Sequence, residues 1–108
     1  MVFTVNGEVW QVKQVPPNHY MLRRPSSAVF ALGVCDDLTR TIYISDKVQG
    51  KYLRKVLAHE VTHAAMFAYD VYLTEDQEEL LASIIDTFGQ EIIHITNTLF
   101  SKIKGGRF

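Results

Sequence analysis

Hydrophobic and polar positions divide the chain into two halves with different habits. As far as Ser45 the apolar residues come in short runs bounded by turn formers. Phe3-Thr4-Val5 and Glu8-Val9-Trp10-Gln11-Val12 flank Asn6-Gly7. Both residues of that dipeptide tolerate positive φ, so the pattern predicts a two-residue β-hairpin. Pro16-Pro17 then stops the strand, because proline cannot donate to a ladder. A second pair of strands is predicted at Ala28 to Val34 and Thr41-Ile42-Tyr43-Ile44, joined across Asp36-Asp37-Leu38-Thr39-Arg40, where the aspartates suit a turn.

Beyond Ser45-Asp46 the pattern changes to a helical one. The segment Lys51 to Tyr69 contains no Gly or Pro and reads as one continuous helix. Leu53, Val56, Leu57, Val61, Ala64, Ala65 and Phe67 occupy almost every side of it, which predicts a buried helix. From Glu75 onward Leu81, Ile84, Ile85, Phe88, Ile92, Ile95 and Leu99 recur every three or four residues and define the inward face of a last helix. Thr74 is its expected N-cap, with Gln77 completing a capping box. Strands followed by helices predict an α+β fold: a small N-terminal antiparallel or mixed sheet, then two helices packed on one face of it. At 108 residues the chain has room for one core, so a single domain spanning residues 1–108 is expected.

The first of those helices carries the candidate chemistry. His59-Glu60-Val61-Thr62-His63 is an H-E-x-x-H pentapeptide between Val56-Leu57-Ala58 and Ala64-Ala65-Met66. Positions i and i+4 lie one above the other on a helix, so two imidazoles can clamp one metal ion, at about 2.0–2.1 Å for zinc. Glu60 cannot reach the same point. It sits beside it, placed to take a proton from the water of a bound ion. Uncharged neighbours suit such a site, because a nearby charge would disturb the field of the ion.

A catalytic zinc takes three protein ligands and leaves a position open. A third histidine in the metzincin manner would require Gly at position 66 and His at 69, where the chain has Met66 and Tyr69. The alternative is a carboxylate from Glu75-Asp76-Gln77-Glu78-Glu79 on the next helix. At 100° per residue Glu78 falls roughly 65° from the centre of the inward face and Glu79 roughly 165° away. Glu78 is therefore the expected third ligand, Glu79 the second choice and His94 the third. An acidic first turn complementing the helix dipole is the competing explanation of both glutamates. His19, in a proline-flanked loop, has no spacing that recommends it. Tyr43, Tyr69, Tyr72 and His94 are candidate donors to an oxyanion.

Composition narrows the classes. The formal net charge of −1 argues against nucleic acid as main partner, since phosphate binding leans on clustered Lys and Arg. Arg23-Arg24 and Lys102 to Arg107 read as solvated surface. The lone Cys35 excludes an internal disulfide and suits a reducing cytoplasm, and it reads as a small residue at a strand end rather than a nucleophile. The N-terminus has no signal-peptide pattern, and the longest apolar run, Ala28 to Cys35, is too short to cross a membrane. Gly105-Gly106-Arg107-Phe108 reads as a frayed end.

The strand pair, Val56 to Ala64 with its pentapeptide, and Glu78-Glu79-Leu80-Leu81 opening the last helix together resemble the small zincin-like metallopeptidases of phages and mobile elements, related to the ImmA/IrrE type. Thr62 stands where such proteins often carry Gly. The resemblance implies a third ligand in the acidic pair and a protein or peptide substrate. The expectation is thus a cytoplasmic zinc peptidase in which His59, His63 and Glu78 hold Zn²⁺ and Glu60 is the general base, with no nucleic-acid or membrane partner. A substrate peptide would add to an exposed edge, at Thr41 to Ser45 or Ala28 to Val34. The alternative is a regulatory module that keeps zinc for stability and docks on a repressor or other protein without turnover.

Overall fold

The computed structural model describes residues 1–24 and 29–105. Strands β1 (Val2–Val5) and β2 (Glu8–Val15) form the expected antiparallel hairpin. Asn6 and Gly7 take φ of 47° and 76°, the pair of positive values that lets a two-residue turn follow the right-handed twist of its strands. The Asn6 side-chain amide also donates to the carbonyl of Ala68 at 2.8 Å, tying the hairpin to the helix that follows the sheet.

Strands β3 (Gly33–Asp36) and β4 (Thr41–Ser45) form a second antiparallel pair. β4 then lies parallel to β2, in register Gln11 to Thr41, and the sheet order is β1-β2-β4-β3. The turn between β3 and β4 is built as its aspartates suggested: Asp36 accepts from the Leu38 amide at 3.3 Å and from the Thr39 hydroxyl at 2.6 Å. The second strand pair begins later than its apolar run implied. Ala28 lies outside the described residues, and residues 29–32 make one isolated bridge, Phe30 with Arg23, rather than a strand. Because β4 is interior, the Thr41 to Ser45 segment is not an edge; β3 is.

Helix α1 (Gly50–Ala68) crosses one face of this sheet. Trp10, Ile42, Ile44 and Ala64 form the buried cluster between them, with Phe3, Val5, Leu53, Val56 and Leu57 packed around it. Trp10 stacks between Phe3 and Phe67, with centroids 6.4 and 6.3 Å away. Burying Ile42 and Ile44 completely contributes on the order of 1.5–3 kcal/mol each. A short 3₁₀ turn, Tyr20–Leu22, covers part of the opposite face and buries Leu22. Its composition suggested a helix buried all round, but α1 is not: Val61 is partly exposed on its outer side, and Phe67 stays partly exposed although it stacks on Trp10. Two helices and a four-stranded sheet do not supply enough surface to enclose it.

Helix α2 (Glu75–Ile84) starts at Thr74, whose hydroxyl accepts from the Gln77 amide while the Gln77 side chain accepts from the Thr74 amide. That capping box stabilises the helix start by about 1 kcal/mol. The chain stays helical to Lys104, but not as one regular helix. A π turn at Ile85–Gly89 separates α2 from α3 (Gln90–Lys104). α2 and the π turn pack on α1, whereas no residue of α3 is buried. Among the described residues no helix is long and apolar enough to cross a membrane. Residues 106–108 of the tail expected to fray lie outside the described range.

Candidate metal centre

α1 places His59 and His63 one turn apart on the side that faces α2. Their rings meet edge to face with centroids 5.1 Å apart. The Nε2 atoms of both turn toward one carboxylate, Glu79: Oε2 lies 3.2 Å from His59 Nε2 and Oε1 lies 2.9 Å from His63 Nε2. Among the described residues these three side chains form a group that could hold a metal ion, each offering one ligand atom within 4.8 Å of the others. The remaining ring nitrogens are each taken by a different carboxylate. His63 Nδ1 lies 2.7 Å from Glu78 Oε1, and His59 Nδ1 lies 2.7 Å from Asp86 Oδ2.

This arrangement separates the roles of Glu78 and Glu79. Glu78, the expected third ligand, grips the back of His63, while Glu79, the second choice, faces both imidazoles at the front. Glu79 does not point away from α1 as helical phase implied, because that phase took its inward direction from a stripe running through Leu99. The π turn adds a residue to the helical repeat at Ile85–Gly89, and the stripe beyond it is solvent-exposed. Taking the fully buried Ala82 as the true inward direction, Glu78 lies about 40° to one side and Glu79 about 60° to the other. Both therefore reach α1. His94 lies on α3, and His19 stacks on Tyr20 and Tyr43 at the 3₁₀ turn, with centroids 4.6 and 5.6 Å away.

Asp86 was not anticipated. It follows Glu79 by two helical turns, so it lies on the same face, and it is the lone acid among Ile84, Ile85 and Phe88; that is the signal that marks it. Its carboxylate is held by Lys55 and by the Thr87 hydroxyl as well as by His59. Although desolvation opposes its charge, these hydrogen bonds hold it below the usual carboxylate range. His59 moves the other way. Partial burial works against its charge, but the bond to Asp86, the Glu60 charge and Glu79 together raise its pKa.

The donor set fits a cation. When Nδ1–H of each ring donates to its carboxylate, each Nε2 presents a lone pair. Two lone pairs then face the two oxygens of Glu79, and acceptor facing acceptor is repulsive unless a proton or a metal ion lies between them. A carboxylate behind each ligating imidazole is also the usual way a protein fixes ring tautomer and raises ligand basicity. Two histidines and a carboxylate suit zinc among the divalent ions.

Glu60 is buried beside this group, and desolvation raises its pKa against the opposing pull of His63 and His59. It lines a cleft of about 660 Å³ together with His59, His63, Glu75, Glu78 and Glu79 on one side and Gly33 and Cys35 of β3 on the other. Arg24 is the one cationic side chain lining this cleft among the described residues. The pair Arg23-Arg24 reads as surface in the sequence, since nothing in it points to the cleft. Tyr43, Tyr69, Tyr72 and His94, the candidate oxyanion donors, are not among the residues lining the cleft. Burial and the charges of Glu60, Asp37, Asp36 and Glu78 push the Cys35 thiol pKa strongly up, so it stays protonated. No family model, curated protein or solved structure gives a significant match to this chain.

Proposed function

We propose that this chain is a zinc-dependent peptidase of the zincin type, with His59, His63 and Glu79 as metal ligands and Glu60 as general base. The observation that carries the reading is the convergence of two imidazole Nε2 atoms on one carboxylate, each ring backed by its own acid and with a buried glutamate alongside. A bound zinc would supply a Lewis acid and a water of lowered pKa. Glu60 holds and moves the proton: its burial keeps its proton affinity above that of a solvated carboxylate, which suits accepting a proton and passing it to the leaving amine. Glu78 and Asp86 hold the rings. Arg24, on the lining of the same cleft, is the cation available to meet the negative charge that would develop on the carbonyl oxygen of a bound peptide.

The substrate side of the reading rests on β3. It is an edge of the sheet, and its Gly33 and Cys35 line the cleft opposite the histidines. An extended peptide pairing with β3 would lie across the site with its carbonyls near the ligands.

The test pairs wild type with Glu60→Gln, both zinc-loaded, against an unbiased peptide library read by mass spectrometry. Cleavage by wild type, lost at least about a hundredfold in the variant at equal zinc content, is the expected result. Zinc binding without cleavage by either would favour the regulatory docking module. A wild type that binds no zinc would remove both.

A further inference from the structure

Helix α3 carries Ile92, Ile95, Leu99, Phe100 and Ile103 at three- and four-residue spacing, and each is about half exposed or more. Among the described residues nothing buries any part of this helix. Its composition makes that position costly. Ile92, Ile93, Ile95, Thr96 and Thr98 are β-branched and lose side-chain freedom in a helix. A helix of this length and composition depends on packing for its stability. We propose that α3 pairs with α3 of a second copy of this chain, antiparallel, across a two-fold axis between Thr96 and Asn97.

The charges select that occupant and direction. α3 carries three charged residues, Glu91, Lys102 and Lys104. At 100° per residue Glu91 and Lys102 lie within about 20° of one another, on the same flank of the apolar stripe. In an antiparallel pair that flank faces itself, so Glu91 meets Lys102 of the partner subunit and the reciprocal pair forms at the other end. In a parallel pair in register that flank would instead face the opposite one, leaving Glu91 without a lysine at its level and bringing Lys102 toward Lys104 of the partner subunit.

The same axis also fits the apolar residues. Along the pair they interleave in the order Ile92, the partner's Leu99, Ile95, then Ile95 of the partner subunit, Leu99 and the partner's Ile92, with no two at one level. Ile93 falls opposite the partner's Phe100. The contact is isologous, so it closes at two copies.

Sedimentation velocity of the full chain across the micromolar range tests this. The expected result is a concentration-dependent dimer of the 12.3 kDa chain. Ile95→Glu should abolish it. Glu91→Lys should weaken it about 3- to 10-fold, and adding Lys102→Glu to that variant should restore it. The charge variants keep the test decisive if Ile95→Glu merely melts α3, which far-UV circular dichroism would register. A monomer at every concentration overturns the proposal, including one that adheres to lipid vesicles instead. So does a dimer indifferent to Ile95→Glu, or a Glu91→Lys defect that the second reversal does not repair.

Discussion

Asp86 Oδ2 lies 2.7 Å from Nδ1 of His59, on the same helical rod whose Glu79 faces that ring's other nitrogen. One imidazole is thus gripped front and back by side chains two turns apart. The first acid fixes which nitrogen carries the proton, and the second shares the lone pair's side of the ring.

Ligand and supporting acids should separate in zinc affinity. Glu79→Ala removes a ligand and should lower affinity more than about 100-fold, while Glu78→Ala and Asp86→Asn each lower it about 10- to 100-fold. Competition against a chelating dye measures all three. If Glu78→Ala had the largest effect, the third-ligand role would belong to Glu78.

Zinc should stabilise the protein more as pH rises. His59 has its pKa raised above 6.5, so its contribution to metal-free stability is full below that value and is lost as pH climbs through the raised pKa. Asp86 has its pKa lowered from 3.8, so its contribution is present above that value and fades only as pH falls through the lowered one. The metal-free pair is therefore strongest in mild acid. Zinc needs the ring neutral and carries the opposite sign. The gain in Tm on adding zinc should increase between about pH 5.5 and pH 8, and thermal melts would contradict this if the gain were flat or larger in acid.

Gly33 should resist enlargement. A Cβ there would lie 2.8 Å from Val56 Cγ1, 3.1 Å from Glu60 Cγ and 3.2 Å from Ile44 Cδ1. Gly33→Ala must therefore push α1 off the edge strand at the position of the general base. Urea denaturation should show a loss of about 1–3 kcal/mol. An unchanged midpoint would mean that α1 moves without penalty.

Cys35 should be chemically quiet. Its thiol is held protonated by burial and by the surrounding acids, so iodoacetamide at mildly alkaline pH should label folded protein at least about tenfold more slowly than unfolded protein. Equal rates would show that the cleft wall opens.

How far the sequence carried these features depends on whether their causes are local. The hairpin was legible because Asn6-Gly7 determines its own backbone angles. α1 and its pentapeptide were legible because nothing in them breaks a helix. The start of β3 was not, because residues 29–32 are as apolar as a strand and only the pairing partner decides where a ladder begins. That Glu79 faces both imidazoles was hidden for a related reason. Leu81 through Leu99 keep an unbroken period, yet the backbone inserts a π turn inside it, and no residue type at Ile85–Gly89 announces that insertion. Arg24 reaches the cleft through tertiary folding alone, whereas Asp86 is marked in the sequence only as a lone acid in an apolar stretch.

Chain closure takes two different forms in this molecule. His63 and Glu78 are 15 residues apart and His59 and Asp86 are 27 apart, bridged by helices that shorten the effective loop. Joining β2 to β4 in parallel requires the whole intervening segment, with its 3₁₀ turn and the β3 hairpin, to return to the first hairpin's edge. Entropy charges little for the first closure and more for the second, and contacts between distant segments slow folding. The residues that would hold an ion therefore come together through short loops, and the sheet is left as the slow step of assembly.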